Sequence, residues 1–95
     1  MKKILQRTKN FEKSLLRLPK KIQQKFIEKL EIFLEDSYHP LLKTHSLKGD
    51  MNNLYAFSVT GDVRVIFSQY IDNEKEIITL TFIDIGTHNQ VYLKF

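Results

Sequence analysis

The chain has no cysteine. No disulfide can staple it, no thiolate can bind a metal, and no thiol can serve as a nucleophile. It also lacks a long apolar run. The opening MKKILQRTKNF begins with two lysines, as a secretion signal does, but Ile4 and Leu5 are followed at once by Gln6, Arg7 and Lys9. Nothing approaches the ~18 apolar residues of a membrane-crossing helix. A soluble, cytoplasmic protein without a membrane partner is expected. Repeats, low-complexity tracts and linkers are missing too, so residues 1–95 are expected to form one domain. Acidic residues do not cluster at metal spacing, and His39 and His45, six apart, match no common ligand pair. No metal and no cofactor are expected.

Charge is abundant and uneven. The net charge is +4, and residues 1–36 carry ten Lys/Arg against five acids, whereas residues 37–95 carry five against six. A basic half suits a polyanion such as RNA. It equally suits a solvated helical surface, because Glu12, Glu28, Glu31 and Glu35 are interspersed among the positives.

Residues 2–7 read as a short edge strand. Thr8 is placed to cap a helix with Glu12 in its first turn. Phe11, Leu15 and Leu18 recur at helical spacing until Pro19, which a helix tolerates only near its start. Ile22, Phe26, Leu30, Phe33 and Leu34 then form a second apolar stripe. That helix should end near Asp36–Tyr38, ahead of Pro40. From residue 54 the period becomes two. Strands are predicted over Tyr55–Val59, Val63–Ser68 and Glu76–Ile83, the last central, with turns at Gly61-Asp62 and Asp72-Asn73. Asp84–His88 should leave the sheet, and Val91–Phe95 should form a short strand or a tail packed on it. The fold class is α+β: an N-terminal strand, a helical hairpin, then an antiparallel meander, with the hairpin on one face and the other face open.

His45 and His88 flank the meander. Two imidazoles can divide general base and acid duties, since each ordinarily titrates at about pH 6.5; they can also be plain surface histidines. Arg64 interrupts the apolar strand VRVIF and points away from Val63, Val65 and Phe67. It is either a phosphate clamp or half of a cross-strand salt bridge. Asp62 can orient a neighbour or end the turn. Tyr92 and Phe95 can stack on a base or pack in the core. Lys48 can reach a phosphate or remain solvated.

The order of these pieces resembles a family. A basic hairpin with Leu18-Pro19 at its junction, His45-Ser-Leu-Lys-Gly49, Asp62-Val-Arg-Val-Ile-Phe67, and Gly86-Thr-His88 with Tyr92 four residues on are together similar to the RelE/ParE superfamily of toxins, and within it to the YafQ-type mRNA interferases. The resemblance covers nearly the whole chain. It implies a RelE-like microbial RNase fold and a metal-independent endoribonuclease. It implies catalytic roles for His45, His88, Arg64, Asp62 and Tyr92, and RNA contacts by Lys48, Lys13, Arg17, Lys20 and Lys21. The implied partners are mRNA on the ribosome and a cognate antitoxin with an acidic, partly disordered segment. Three positions depart from the pattern: Ser46 for a proline, Ser58 for a histidine in the strand, and Asp84 where some members carry arginine, an anion expected near the scissile phosphate. ParE-like gyrase inhibition, or a catalytically degenerate antitoxin-binding homologue, is the alternative.

Overall fold

The computed structural model describes residues 1–47 and 53–94, so Lys48 and Phe95 lie outside the described residues. The elements are β1 (Lys2–Arg7), α1 (Lys9–Arg17), α2 (Lys20–Glu35), a 3-10 turn at Pro40–Leu42, β2 (His45–Ser46), β3 (Leu54–Ser58), β4 (Val63–Asp72), β5 (Ile77–Thr87) and α3 (His88–Tyr92). Thr8 does cap α1: its hydroxyl accepts the Phe11 N–H at 3.0 Å and donates to the Ile83 carbonyl at 2.9 Å. One side chain thus starts the helix and ties it to β5. Pro19 occupies the N-cap of α2, and Asp36 ends that helix in extended geometry.

The sheet order is β1-β5-β4-β3-β2. Strands β2 to β5 are antiparallel neighbours, as the meander requires, while β1 pairs with β5 in parallel. The sheet is therefore mixed, and β4 rather than the Glu76–Ile83 strand holds the middle place. Residues 84–87 do not leave the sheet. A register shift at Ile66/Phe67 lets β5 carry an extra residue and continue pairing, Ile66 with Asp84, Arg64 with Gly86 and Val63 with Thr87. Beyond Thr87 the described residues form no final strand; the segment packs on the sheet through Val91, as the other expectation had it, and does so as a helix. Thr87 and Gln90 exchange the two bonds of a capping box, which starts α3.

One sheet face packs against α1 and α2. Six of the seven phenylalanines, Phe11, Phe26, Phe33, Phe57, Phe67 and Phe82, are buried there within one core cluster. Fully burying each is worth roughly 1.5–3 kcal/mol, so this layer dominates the stability. The opposite face is not wholly open. Val91 of α3 closes a small apolar cluster with Ala56 and Ile66, against which Leu47 and Tyr92 pack.

Candidate active site

The residues that the sequence singles out meet where α3 crosses the second face. His45 is not in a loop but in β2, opposite Ala56 of β3. Just before it Lys43 adopts left-handed backbone, φ 51°, and its carbonyl turns to the His45 Nδ1 at 3.0 Å. A carbonyl only accepts, so Nδ1 must carry the proton. In the neutral ring this leaves a lone pair on Nε2, and the Tyr92 hydroxyl lies 3.3 Å from that atom, placed to donate to it. The tautomer is thus assigned by the bonding partners. Burial pushes the Tyr92 hydroxyl above its ordinary range, and the Arg64 charge nearby pulls against that rise.

His88 and Tyr92 are four apart on α3 and so share one side of the helix. Their rings meet edge to face, 4.4 Å between centroids at 68°. His45, Tyr92 and His88 therefore form one continuous line, with both histidines exposed. Arg64 sits in β4 between Ser58 and Gly86. Its Nη1 donates to the Thr60 carbonyl at 3.0 Å and the Val63 carbonyl at 3.3 Å. Among the described residues it forms no salt bridge. A half-buried guanidinium held by carbonyls keeps its full charge and has donors to spare. Asp62 acts here through its backbone: its carbonyl accepts the His88 N–H at 2.8 Å, and its side chain is in solvent.

The basic candidates are elsewhere. Lys13 and Arg17 are exposed on α1, and Lys20 and Lys21 are exposed at the start of α2, in the layer against the other face. Among the described residues no three His, Asp or Glu side chains come together as a metal site. A mostly apolar hollow of about 500 Å³ lies between β1 and the helices, lined by Leu5, Phe11, Leu15, Leu16, Phe26 and Leu30 among others.

Asp84 is placed differently from the sequence expectation. Its carboxylate is 1% exposed. It accepts a hydrogen bond from Lys94 Nζ at 2.8 Å and from the Ile85 N–H at 2.9 Å. Burial would raise its pKa, but the bonds from Lys94, the Ser14 hydroxyl and Ile85, with the Lys94 charge, outweigh it and hold the carboxyl below its ordinary value. The charge is therefore paired inside the fold rather than offered to a phosphate. Lys94 carried no signal in the sequence until α3 was known, since only the helix puts it one turn beyond Gln90. The Lys43 carbonyl, a backbone group, had no signal at all.

No protein-family model matches the chain, and no curated protein matches it in sequence. Solved structures do match. A chain of the E. coli DinJ–YafQ toxin–antitoxin complex superposes with a TM-score of 0.77 at 16% identity, over 97% of this chain and 99% of that one. The YoeB/ParE toxin from Agrobacterium tumefaciens gives 0.68 at 19%, over 93% and 99%. A chain of the archaeal RelE–RelB complex from Pyrococcus horikoshii gives 0.66 at 22%, over 95% and 99%. What these structures share with this chain is the fold: the strand, hairpin and sheet are arranged here as they are in those toxin structures, with the highest of the three TM-scores to the YafQ-containing one.

Proposed function

We propose that this chain is the toxin of a type II toxin–antitoxin pair and a metal-independent endoribonuclease acting on mRNA at the ribosome in the cytoplasm. The observation that carries the proposal is the line His45–Tyr92–His88, with Arg64 near Tyr92 and in no salt bridge among the described residues. RNA supplies its own nucleophile. A base removes the 2′-OH proton, O2′ attacks the adjacent phosphorus, and the P–O5′ bond breaks as an acid protonates O5′. The products are a 2′,3′-cyclic phosphate and a 5′-hydroxyl. DNA lacks the 2′-OH and is not a substrate.

The geometry supports the following assignment of roles. His45 holds its proton on Nδ1 and a lone pair on Nε2, which suits the base. His88 then serves as the acid. Arg64 stabilises charge on the phosphorane oxygens, with Lys48 as a further contact. Tyr92 holds His45 in position and offers a ring to a base, and Asp62 holds the start of α3. Lys13, Arg17, Lys20 and Lys21, which lie on the helix layer and not in this line, serve docking on ribosomal RNA rather than chemistry.

Two of the similar structures are toxin–antitoxin complexes. They support an antitoxin partner here; that it carries an acidic segment that folds on binding is our proposal, fitted to the basic helices of this chain. Co-expression with such a partner should restore growth and yield a stable complex.

The test of the chemistry is cleavage of a short model RNA in excess EDTA, then with a 5′-thio leaving group. A sulfur leaving group needs little protonation. The substitution should restore cleavage by His88→Ala and not by His45→Ala. Rescue of the other variant reverses the roles. Failure to cut RNA with or without translating ribosomes, joined to inhibition of DNA gyrase, would replace this reading by the ParE-like one.

A further inference from the structure

Helix α3 carries both His88 and Tyr92, yet it has only five residues. A helix so short is marginal by itself, so its attachments decide where the two rings lie. It is held at three points. At its start the capping box and the His88 N–H to Asp62 carbonyl bond fix the first turn. The approach to β5 there is close: a Cβ on Gly86 would lie 2.9 Å from Gln90 Oε1 and 3.4 Å from Val91 Cγ1. In the middle Val91 is buried against Ala56 and Ile66. At its end Lys94 reaches Asp84 at 2.8 Å. Tyr92 lies between the second and third attachments.

The residues of α3 divide by side. Tyr92 turns to His45 of β2 with His88 on its own side of the helix, while Gln90, and Lys94 two residues beyond the helix end, turn to a hollow of about 350 Å³ lined further by Ser14, Arg17, Asp84 and Ile85. Asp84 is therefore a fixed anion at the back of the helix that carries the site, and among the described residues its hydrogen-bond partners are Lys94, Ser14 and Ile85, not His45, His88, Tyr92 or Arg64.

We infer that Asp84 and Lys94 are positioning residues: their ion pair ties down the end of α3 and so keeps the Tyr92 hydroxyl on His45. The pair acts through Tyr92 and touches no substrate. The inference about placement stands on the contacts alone; its consequence for turnover rests on the ribonuclease reading above.

The experiment uses the full chain with Lys94→Met and Lys94→Arg. Lys94 is more than half exposed but its partner Asp84 is buried, and an unpaired buried charge is costly, so the unfolding curve of each variant is recorded first to establish that it is folded. Lys94→Met should speed hydrogen exchange at the Leu93 and Lys94 amides and weaken the nuclear Overhauser contacts among the Tyr92, His45 and His88 rings. Lys94→Arg, which keeps the charge, should restore both. If wild type cuts RNA, Lys94→Met should lower kcat roughly tenfold with KM unchanged, because a misplaced group costs rate rather than binding. Unchanged exchange and ring contacts in Lys94→Met overturn the inference whether or not RNA is cut. Altered contacts with no cleavage by wild type sustain it and count against the ribonuclease reading instead. A KM effect with kcat unchanged would make Lys94 an RNA contact and would also overturn it.

Discussion

The two faces of the sheet are built from the same strands and spend them differently. On β4, Val63, Val65 and Phe67 go into the phenylalanine layer under α1 and α2, while Arg64 and Ile66 go to the side that α3 covers. The first side is filled by large rings in stacked, tilted and edge contacts, such as Phe33 stacked on Phe57 at 4.9 Å and edge-on to Phe67 at 5.1 Å. The second has Ala56, Ile66 and Val91 as its buried apolar residues, and around them His45, Ser58, Arg64 and Asp84. Strand period two makes this division possible in so short a chain. It separates what stabilises the fold from what performs chemistry, and substitutions on each side should separate too.

The largest effect is expected on the helix side. Phe33 has no exposed surface and touches the rings of Phe57, Phe67 and Phe82. Phe33→Ala should cost about 3–5 kcal/mol, a large share of the stability of so small a domain. Denaturant unfolding measures it; a midpoint close to wild type would mean that the layer repacks and the contrast between the faces is weaker than drawn.

Next come the histidines. His45→Ala and His88→Ala should each slow RNA cleavage by ~100-fold or more, while their unfolding curves overlay that of wild type, since both side chains are exposed. Wild-type rates for both variants would sink the assigned mechanism. A smaller loss is expected for Arg64→Lys, about tenfold in kcat, the worth of one charge-assisted hydrogen bond when the charge stays and the planar fork goes. Normal turnover with weakened RNA binding would make Arg64 a docking residue.

Much of this division could be read from the residues. The stripe Ile22, Phe26, Leu30, Phe33 and the alternation around Val63–Phe67 announce their own periods, so the helix layer and its side of the sheet were legible. The cap at Thr8 and the break at Pro19 were legible for local steric reasons. The C-terminal segment was not. Asp84-Ile-Gly-Thr reads as a departure from the sheet, but a register shift absorbed one residue and pairing continued to Thr87. Val91-Tyr-Leu has strand composition, and the Thr87–Gln90 capping box overrode it. The parallel pairing of β1 with β5 depends on contacts 75 residues apart along the chain, Lys2 with Ile77 among them. No local pattern encodes them. At the site, the residue types His45, Arg64, His88 and Tyr92 were legible as candidates, whereas the convergence of both histidines on Tyr92 is a property of α3, the element whose form was misread.

The smallest effect concerns pH and the anion between the two regions. Asp84 faces Lys94 from the turn after α3 and Ser14 and Arg17 from α1. Burial opposes its ionisation, and the Lys94, Ser14 and Ile85 bonds more than offset that, so the folded carboxyl titrates below its ordinary value. The sign follows from linkage. When the folded pKa is the lower one, the unfolded chain takes up the proton first as pH falls. The contribution of Asp84 is therefore complete above the unfolded value of about 3.9 and is lost as pH drops through the lower folded value. Above pH ~5 stability should not respond to this group. Below it, wild type should lose stability more steeply than Asp84→Asn, which has no carboxyl to protonate. Urea midpoints of the two proteins from about pH 6 down to about pH 2.5 measure the difference. Because Lys94 is largely in solvent, salt should reduce the slope through its charge while the Ser14 and Ile85 bonds remain. Parallel curves for the two proteins would mean that the Asp84 carboxylate contributes nothing that its amide cannot, and the tie between α3 and the sheet would then rest on Val91 and the capping box alone.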